Sequence, residues 1–213
     1  MCRHTRADSA LRDGDRPLKA RARHCVAGWL ETRRVFELAP LSAVPADAVE
    51  RLLDAAFGAD RHGRTAYRVR DGVDAEAGLC FAAVAGDALV GSIQCWPVAL
   101  HGDDGSETPM VMVGPVAVSP AHQNIGIGRA LMWRAIRRAG GEEGVTRIDG
   151  GEALMLIGDP DYYDQFGFDA SHTTDWRLPG PFERHRLLAR GVVPDVAGLV
   201  GPRRPFAQRS KSA

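Results

Sequence analysis

Residues 119–129, SPAHQNIGIGR, lie between a strand-like apolar run and an amphipathic helical pattern. Gln123, Gly126 and Gly128 spell Q-x-x-G-x-G at that junction. Glycine there lets the backbone approach a ligand closely. The free N–H groups of the following first helical turn point at such a ligand, and the helix dipole favours negative charge. Arg129 adds a cation beside them. The combined chemistry is that of a pyrophosphate cradle. A Walker loop would need Lys-Ser/Thr after its last glycine, and none follows here. A dinucleotide fingerprint would need Gly or Ala where Leu131 stands. A glycine-rich turn with no ligand satisfies the loop pattern equally well when it is taken alone.

A second motif, DPDYYDQFGF, spans 159–168. Asp159 can cap a helix and Pro160 can occupy its first turn. Gly167 can end it. The resulting short helix carries Tyr162, Tyr163 and Phe166, with Tyr162 and Phe166 on one face. The tyrosines are either packing groups or phenols available for chemistry.

The elements that must position these motifs are legible from pattern. Arg34–Leu38 reads as a first strand. Pro45 opens a helix with an apolar stripe of Val49, Leu52, Leu53, Ala56 and Phe57, which Gly58 stops. Residues 61–71 read as a short second helix. Gly78–Val84 and Leu89–Leu100 form a hairpin about Gly86-Asp87, and a further turn lies at Gly102–Gly105. Met110–Val118 is an apolar strand that Gly114-Pro115 must distort, because proline donates nothing to a ladder and glycine marks bulges. Ile127–Ala139 is a helix burying Leu131, Met132, Ala135 and Ile136, ended by Gly140-Gly141. Glu152–Ile157 is the next strand, and two more are expected near Phe168–Trp176 and Arg186–Arg190. The order predicts an α/β domain with a mixed, mostly antiparallel sheet flanked by helices.

The segments GPVAVSPAHQNIGIGRAL and GDPDYYDQFGF together resemble the GCN5-related N-acetyltransferase (GNAT) superfamily, over roughly Arg34–Arg190. The second segment is similar to a bacterial subgroup of predicted N-acetyltransferases. The resemblance implies a bulged strand splayed from its parallel neighbour, admitting the pantetheine arm of acetyl-CoA. By that resemblance Val116, Ala117 and Val118 meet the arm. Gln123, Asn124, Gly126, Ile127, Gly128 and Arg129 hold the pyrophosphate, and Tyr163 takes the place of the family's tyrosine. The implied reaction is direct transfer of acetyl from acetyl-CoA to a primary amine. Its oxyanion needs a donor. Pro115 has no N–H, so Val116 is the candidate. The departing thiolate, with a reference pKa near ~8.5, needs a proton that a phenol of ~10 can supply. Candidates for the base are His101, His122, Glu107 or a water relay. The acceptor pocket is expected near residues 60–64, with Trp96 and Trp176 as further candidates. The polar, glycine-rich residues 140–151 are expected to be a flexible flap or a long connector.

Composition excludes several classes. The 213 residues carry 27 Lys+Arg against 27 Asp+Glu, a net charge of zero, which argues against a nucleic-acid binder. Hydrophobic residues at 45% and charged residues at 25% fit a soluble globular chain. No apolar run is long enough for a membrane span, and no secretory leader is expected. Cys2, Cys25, Cys80 and Cys95 show neither C-x-x-C nor His at ligand spacing. No metal site is expected, and a cytoplasmic location is. Residues 1–30 are expected to be a mobile basic extension, 31–202 the catalytic domain and 203–213 a loose tail. The expected partner is a small-molecule or peptide amine acceptor, with the protein a monomer or homodimer. Two other classes remain at this stage: an acyl-CoA sensor without turnover, and an ATP-binding protein.

Overall fold

In the computed structural model, described for residues 36–141, 151 and 153–203, the order is β1 (Glu37–Pro40), α1 (Ala46–Phe57), α2 (Thr65–Val69), β2 (Phe81–Ala85), β3 (Ala88–Gly102), β4 (Glu107–Val118), α3 (Ile127–Ala139), β5 (Ala153–Ile157), α4 (Pro160–Tyr163), β6 (Trp176–Arg177), β7 (Leu187–Gly191) and β8 (Gly198–Pro202). The main sheet runs β1-β2-β3-β4-β5-β7. Its neighbours are antiparallel except β4 and β5. The 15-residue β3 is long enough to share one edge between two partners. Its first half pairs with β2 and its second half with β8.

α3 spans Ile127–Ala139, as its 3.6-residue apolar period predicts. Leu131, Met132, Ala135 and Ile136 are buried against β2, β3 and β4. α1 buries Val49, Leu52 and Leu53 over Ala117 of β4. A separate cluster around Met110, Met155 and Trp176 fills the end of the sheet where β8 joins.

Four expectations change. The first strand is shifted toward Pro40, where β1 is an edge strand and tolerates a proline; Arg34 and Val35 lie outside the described residues. The second helix is split at Gly63 and Arg64 into a 3-10 turn, Ala59–Gly63, and α2. Phe168–Trp176 is mostly turns, with one bridge from Asp169 to Ala189 and the two-residue β6. The Asp169 carboxylate accepts from Ser171 N (2.8 Å) and the Ser171 hydroxyl, local bonds that compete with a ladder. β8 was not expected, because Gly-Leu-Val-Gly-Pro shows no alternation. The extension 1–30, most of 140–151 and the tail beyond Arg203 lie outside the described residues.

Gly91 lets α3 lie close on the sheet. A Cβ there would stand 2.5 Å from Cγ2 of the buried Ile127. Gly91→Ala is therefore expected to lower the unfolding free energy by about 1–3 kcal/mol, read from urea denaturation with an unchanged m value.

Candidate active site

Among the described residues, β4 and β5 are held together by two pairs, Val111↔Leu154 and Met112↔Met155. Beyond them β5 stays with β7, while β4 stays with β3. The partners step from Cys95↔Val113 to Ile93↔Val116, so Gly114 and Pro115 bulge opposite Gln94. Gly114 has φ +116°, which favours glycine. Arg70 Nη1 donates to its carbonyl from a buried position (3.2 Å).

The hydrogen bond from Ser119 N to Val90 O (2.9 Å) sets the phase of the ladder. Antiparallel pairs alternate between bonded and non-bonded positions. Ala117 therefore directs its backbone groups to β3. Val118 and Val116 direct theirs away from it, into the gap left by β5. The Ala117 side chain is fully buried beneath α1.

After β4 a 3-10 turn, Pro120–His122, leads into the glycine loop. Asn124 (φ +65°) and Gly126 (φ +88°) are left-handed and turn the chain into α3. The Ala130 N–H reaches Gly126 O, so those of Ile127, Gly128 and Arg129 have no intrahelical partner. A cavity of about 500 Å³ opens at this helix start. Val116, Val118, His122, Gln123, Asn124, Gly126, Ile127, Gly128 and Arg129 line it. The Ile127 side chain itself is buried in the core.

Asp159 caps α4 by accepting from Asp161 N (3.2 Å). α4 then sets two adjacent tyrosines in different environments. Tyr162 is exposed at 39%, edge-on to Phe166, and its hydroxyl lies 3.0 Å from where a Gly128 Cβ would stand. Tyr163 packs against Phe166 and Phe168. Its ring occupies the space over Gly158, where a Cβ would approach Cε2 to 2.1 Å. Burial pushes the Tyr163 phenol up to about 12.

A second cavity, about 340 Å³, lies on the other side of the gap. Phe57, Val116 and Tyr163 line both cavities. Arg61, Arg64, Tyr67, Arg70, Phe182, Glu183 and Arg186 also face the second one. Arg61 is buried and bonded to Glu50, Asp54 (2.8 Å) and the Tyr67 hydroxyl. The Arg70 guanidinium lies between the rings of Tyr67 (4.1 Å) and Trp96 (4.4 Å).

Of the expected acceptor residues, Arg61 and Arg64 line this cavity. Trp96 borders it through Arg70, and Trp176 is buried in the core. His101 and Glu107 face each other at 3.7 Å beside the β3–β4 turn, roughly 30 Å of strand from Val116 at ~3.3 Å per residue. His122 stands 3.4 Å from Ser119 Oγ on the glycine-loop side. Tyr67, Arg70, Glu183 and Arg186 were not singled out from sequence. Each lies in a polar stretch without a motif.

The raised phenol makes a pH prediction. Below the ordinary tyrosine value of ~10 both folded and unfolded states hold the proton. Between ~10 and about 12 the unfolded chain releases it first, so folding stability falls as pH rises through this window. Urea denaturation across the window should show that loss, and Tyr163→Phe should reduce its slope.

Residues 46–168 match the model of the Acetyltransferase (GNAT) family. The chain is 29% identical over 166 residues to an uncharacterized N-acetyltransferase, YhbS, of Escherichia coli K12, covering 74% of this chain and 91% of that one. The crystal structure of E. coli YhbS in complex with CoA superposes with a TM-score of 0.58 at 23% identity, covering 79% of this chain and 89% of that chain. A GNAT family acetyltransferase from Brucella melitensis in complex with acetyl-CoA gives 0.52 at 23% identity, covering 79% and 96%. These two superpositions show the same fold. With a bulged β4, a splayed β5 and a glycine loop at the start of α3, the chain belongs to the GNAT family and is an N-acetyltransferase.

Proposed function

We propose that the protein transfers an acetyl group from acetyl-CoA directly to a primary amine. The observation that carries this reading is the meeting of two cavities at Val116 and Tyr163, across the gap between β4 and β5. The glycine-loop cavity fits CoA: it joins backbone donors at a helix start to an open strand edge able to bond an extended arm. The relatives solved with CoA and acetyl-CoA support the same cosubstrate.

The reading gives each residue a role. Gln123 to Arg129 hold the pyrophosphate, mainly through main-chain N–H groups. Val116 and Val118 bond the pantetheine arm along the free edge of β4, and Ala117 anchors that segment beneath α1. The Val116 N–H faces the reacting carbonyl and stabilises its oxyanion. Glu183, the carboxylate on the acceptor-side wall, takes the amine's proton directly or through water. Tyr163 gives a proton to the departing thiolate. A phenol at its ordinary value of ~10 is already protonated at neutral pH, and the burial that raises Tyr163 to about 12 leaves it so.

Two substitutions test the assignment. General acid catalysis contributes roughly 10²–10⁴-fold, so Tyr163→Phe should lower kcat within that range with acetyl-CoA affinity retained. Tyr162→Phe should cost much less in kcat. Equal kcat for wild type and Tyr163→Phe under chemistry-limited conditions would rule the role out. Gly128→Val crowds the loop and Tyr162, and is expected to weaken acetyl-CoA binding by calorimetry far more than it lowers the melting temperature. Unchanged affinity in the folded variant would exclude pyrophosphate binding there.

A further inference from the structure

The acceptor-side cavity carries positive charge that the fold leaves unneutralised. Arg61, Arg64, Arg70 and Arg186 stand on its wall with one carboxylate, Glu183. Arg61 is already balanced by Glu50 and Asp54. Arg70 is not balanced in this way. It is only 6% exposed, and its close contacts are the Gly114 carbonyl and the faces of Tyr67 and Trp96. Burial draws its pKa down to about 10, the mark of a cation that the interior does not fully compensate.

A guanidinium offers five N–H donors, and Gly114 O takes one from Arg70 Nη1. Among the described residues, the sealed side-chain nitrogens without a partner are those of Trp96 and Trp176. The other Arg70 donors are therefore not sealed orphans. They turn to Tyr67 or to the cavity. Arg186 makes a long contact of 3.4 Å from Nε to Gly158 O, at the glycine over which the Tyr163 ring lies. Neither arginine forms a salt bridge among the described residues.

Both cations flank the transfer point. Arg70 reaches it through Gly114, two residues before Val116, and Arg186 through Gly158, beside Tyr163. We infer that the acceptor is an amine that also bears a compact anion, a carboxylate or a phosphate, held by Arg70 and Arg186 while its nitrogen faces Val116. This rests on the acetyl-transfer reading above. Two strand residues span about 7 Å, so only a few bonds separate nitrogen from anion. The guanidinium fork suits either oxyanion bidentately. Polyamines, with only positive charge, meet the wrong wall.

The test is a matched acceptor panel on the full chain with acetyl-CoA, read by thiol release. It contains L-amino acids with their amides, and aminoalkyl phosphates with the corresponding amino alcohols. A polyamine is included. The best acceptor should be anionic and exceed its neutral counterpart in kcat/KM by at least ~10-fold, as charged hydrogen bonds allow. Which pair shows the gap separates carboxylate from phosphate. Arg186→Gln, on an exposed side chain, and Arg70→Gln should each collapse that ratio toward unity. A structural role for either arginine would lower both members equally. Neutral or cationic amines reacting as well as the anionic ones, or no turnover with any anionic amine, overturns the inference. Failure of acetyl-CoA itself to bind, measured in parallel by calorimetry, overturns the cosubstrate assignment instead.

Discussion

Among the described residues, two pairs of parallel ladder hold β4 to β5, and the site depends on the ladder stopping after Met112↔Met155. A sheet that continued would satisfy the N–H and C=O groups of Val116 and Val118 internally. Backbone polar groups must find partners, so a strand that parts from its neighbour offers a row of donors and acceptors to a ligand. The separation is enforced from both sides. β7 pairs with β5 from Ala153 to Ile157 and leads it away. The bulge at Gly114-Pro115 redirects β4, and Ala117 is anchored beneath α1. The cleft is thus built into the strand register rather than carved from a loop.

The bulge needs its own support, because Gly114 and Pro115 face a single residue on β3. Arg70 supplies it through the Gly114 carbonyl. Arg70 is in turn held by two aromatic faces, and Tyr67 is held by Arg61, which is tied to Glu50 and Asp54 of α1. A chain of guanidinium and ring contacts therefore connects α1 to the bulged edge of β4. Buried cations placed this way are costly unless hydrogen-bonded or paired. Arg61 meets that condition with carboxylates. Arg70 meets it with a carbonyl and π faces, which leaves charge for the cavity.

Most of the glycine-loop side was legible because its signals are local. The 3.6 period marks α3, the left-handed Gly126 marks the turn into it, and Gly114-Pro115 marks the bulge. The acceptor side was less legible because it is assembled from distant segments. Arg70, Glu183 and Arg186 lie in polar stretches whose pattern matches solvated surface, and only the tertiary fold brings them to one cavity. β8 escaped for a related reason. Its five residues have no alternation, and their pairing depends on the unused edge that the length of β3 creates. His101 and Glu107 had suitable chemistry, but the β3–β4 hairpin carries them to its far end.

The adjacent tyrosines show how backbone placement separates two equivalent side chains. Neighbours on a helix point roughly 100° apart, so one can face the glycine loop while the other enters the sheet gap. Gly158 decides which one enters, since any Cβ at that position would intersect the Tyr163 ring. The consequence is electrostatic. Tyr162 keeps partial solvent contact beside Gly128 and Arg129 and is raised by its partial burial, and the deeper burial of Tyr163 raises its phenol to about 12. In the proposed mechanism Tyr163 must hold its proton until a thiolate appears, which any phenol does at neutral pH. Burial raises both phenols, with Arg129 pulling against it at Tyr162. The nearby Arg186 acts in the lowering direction, and desolvation outweighs it. Arg186 can therefore stand beside Tyr163, where the proposed anionic acceptor would meet it, with the phenol still protonated.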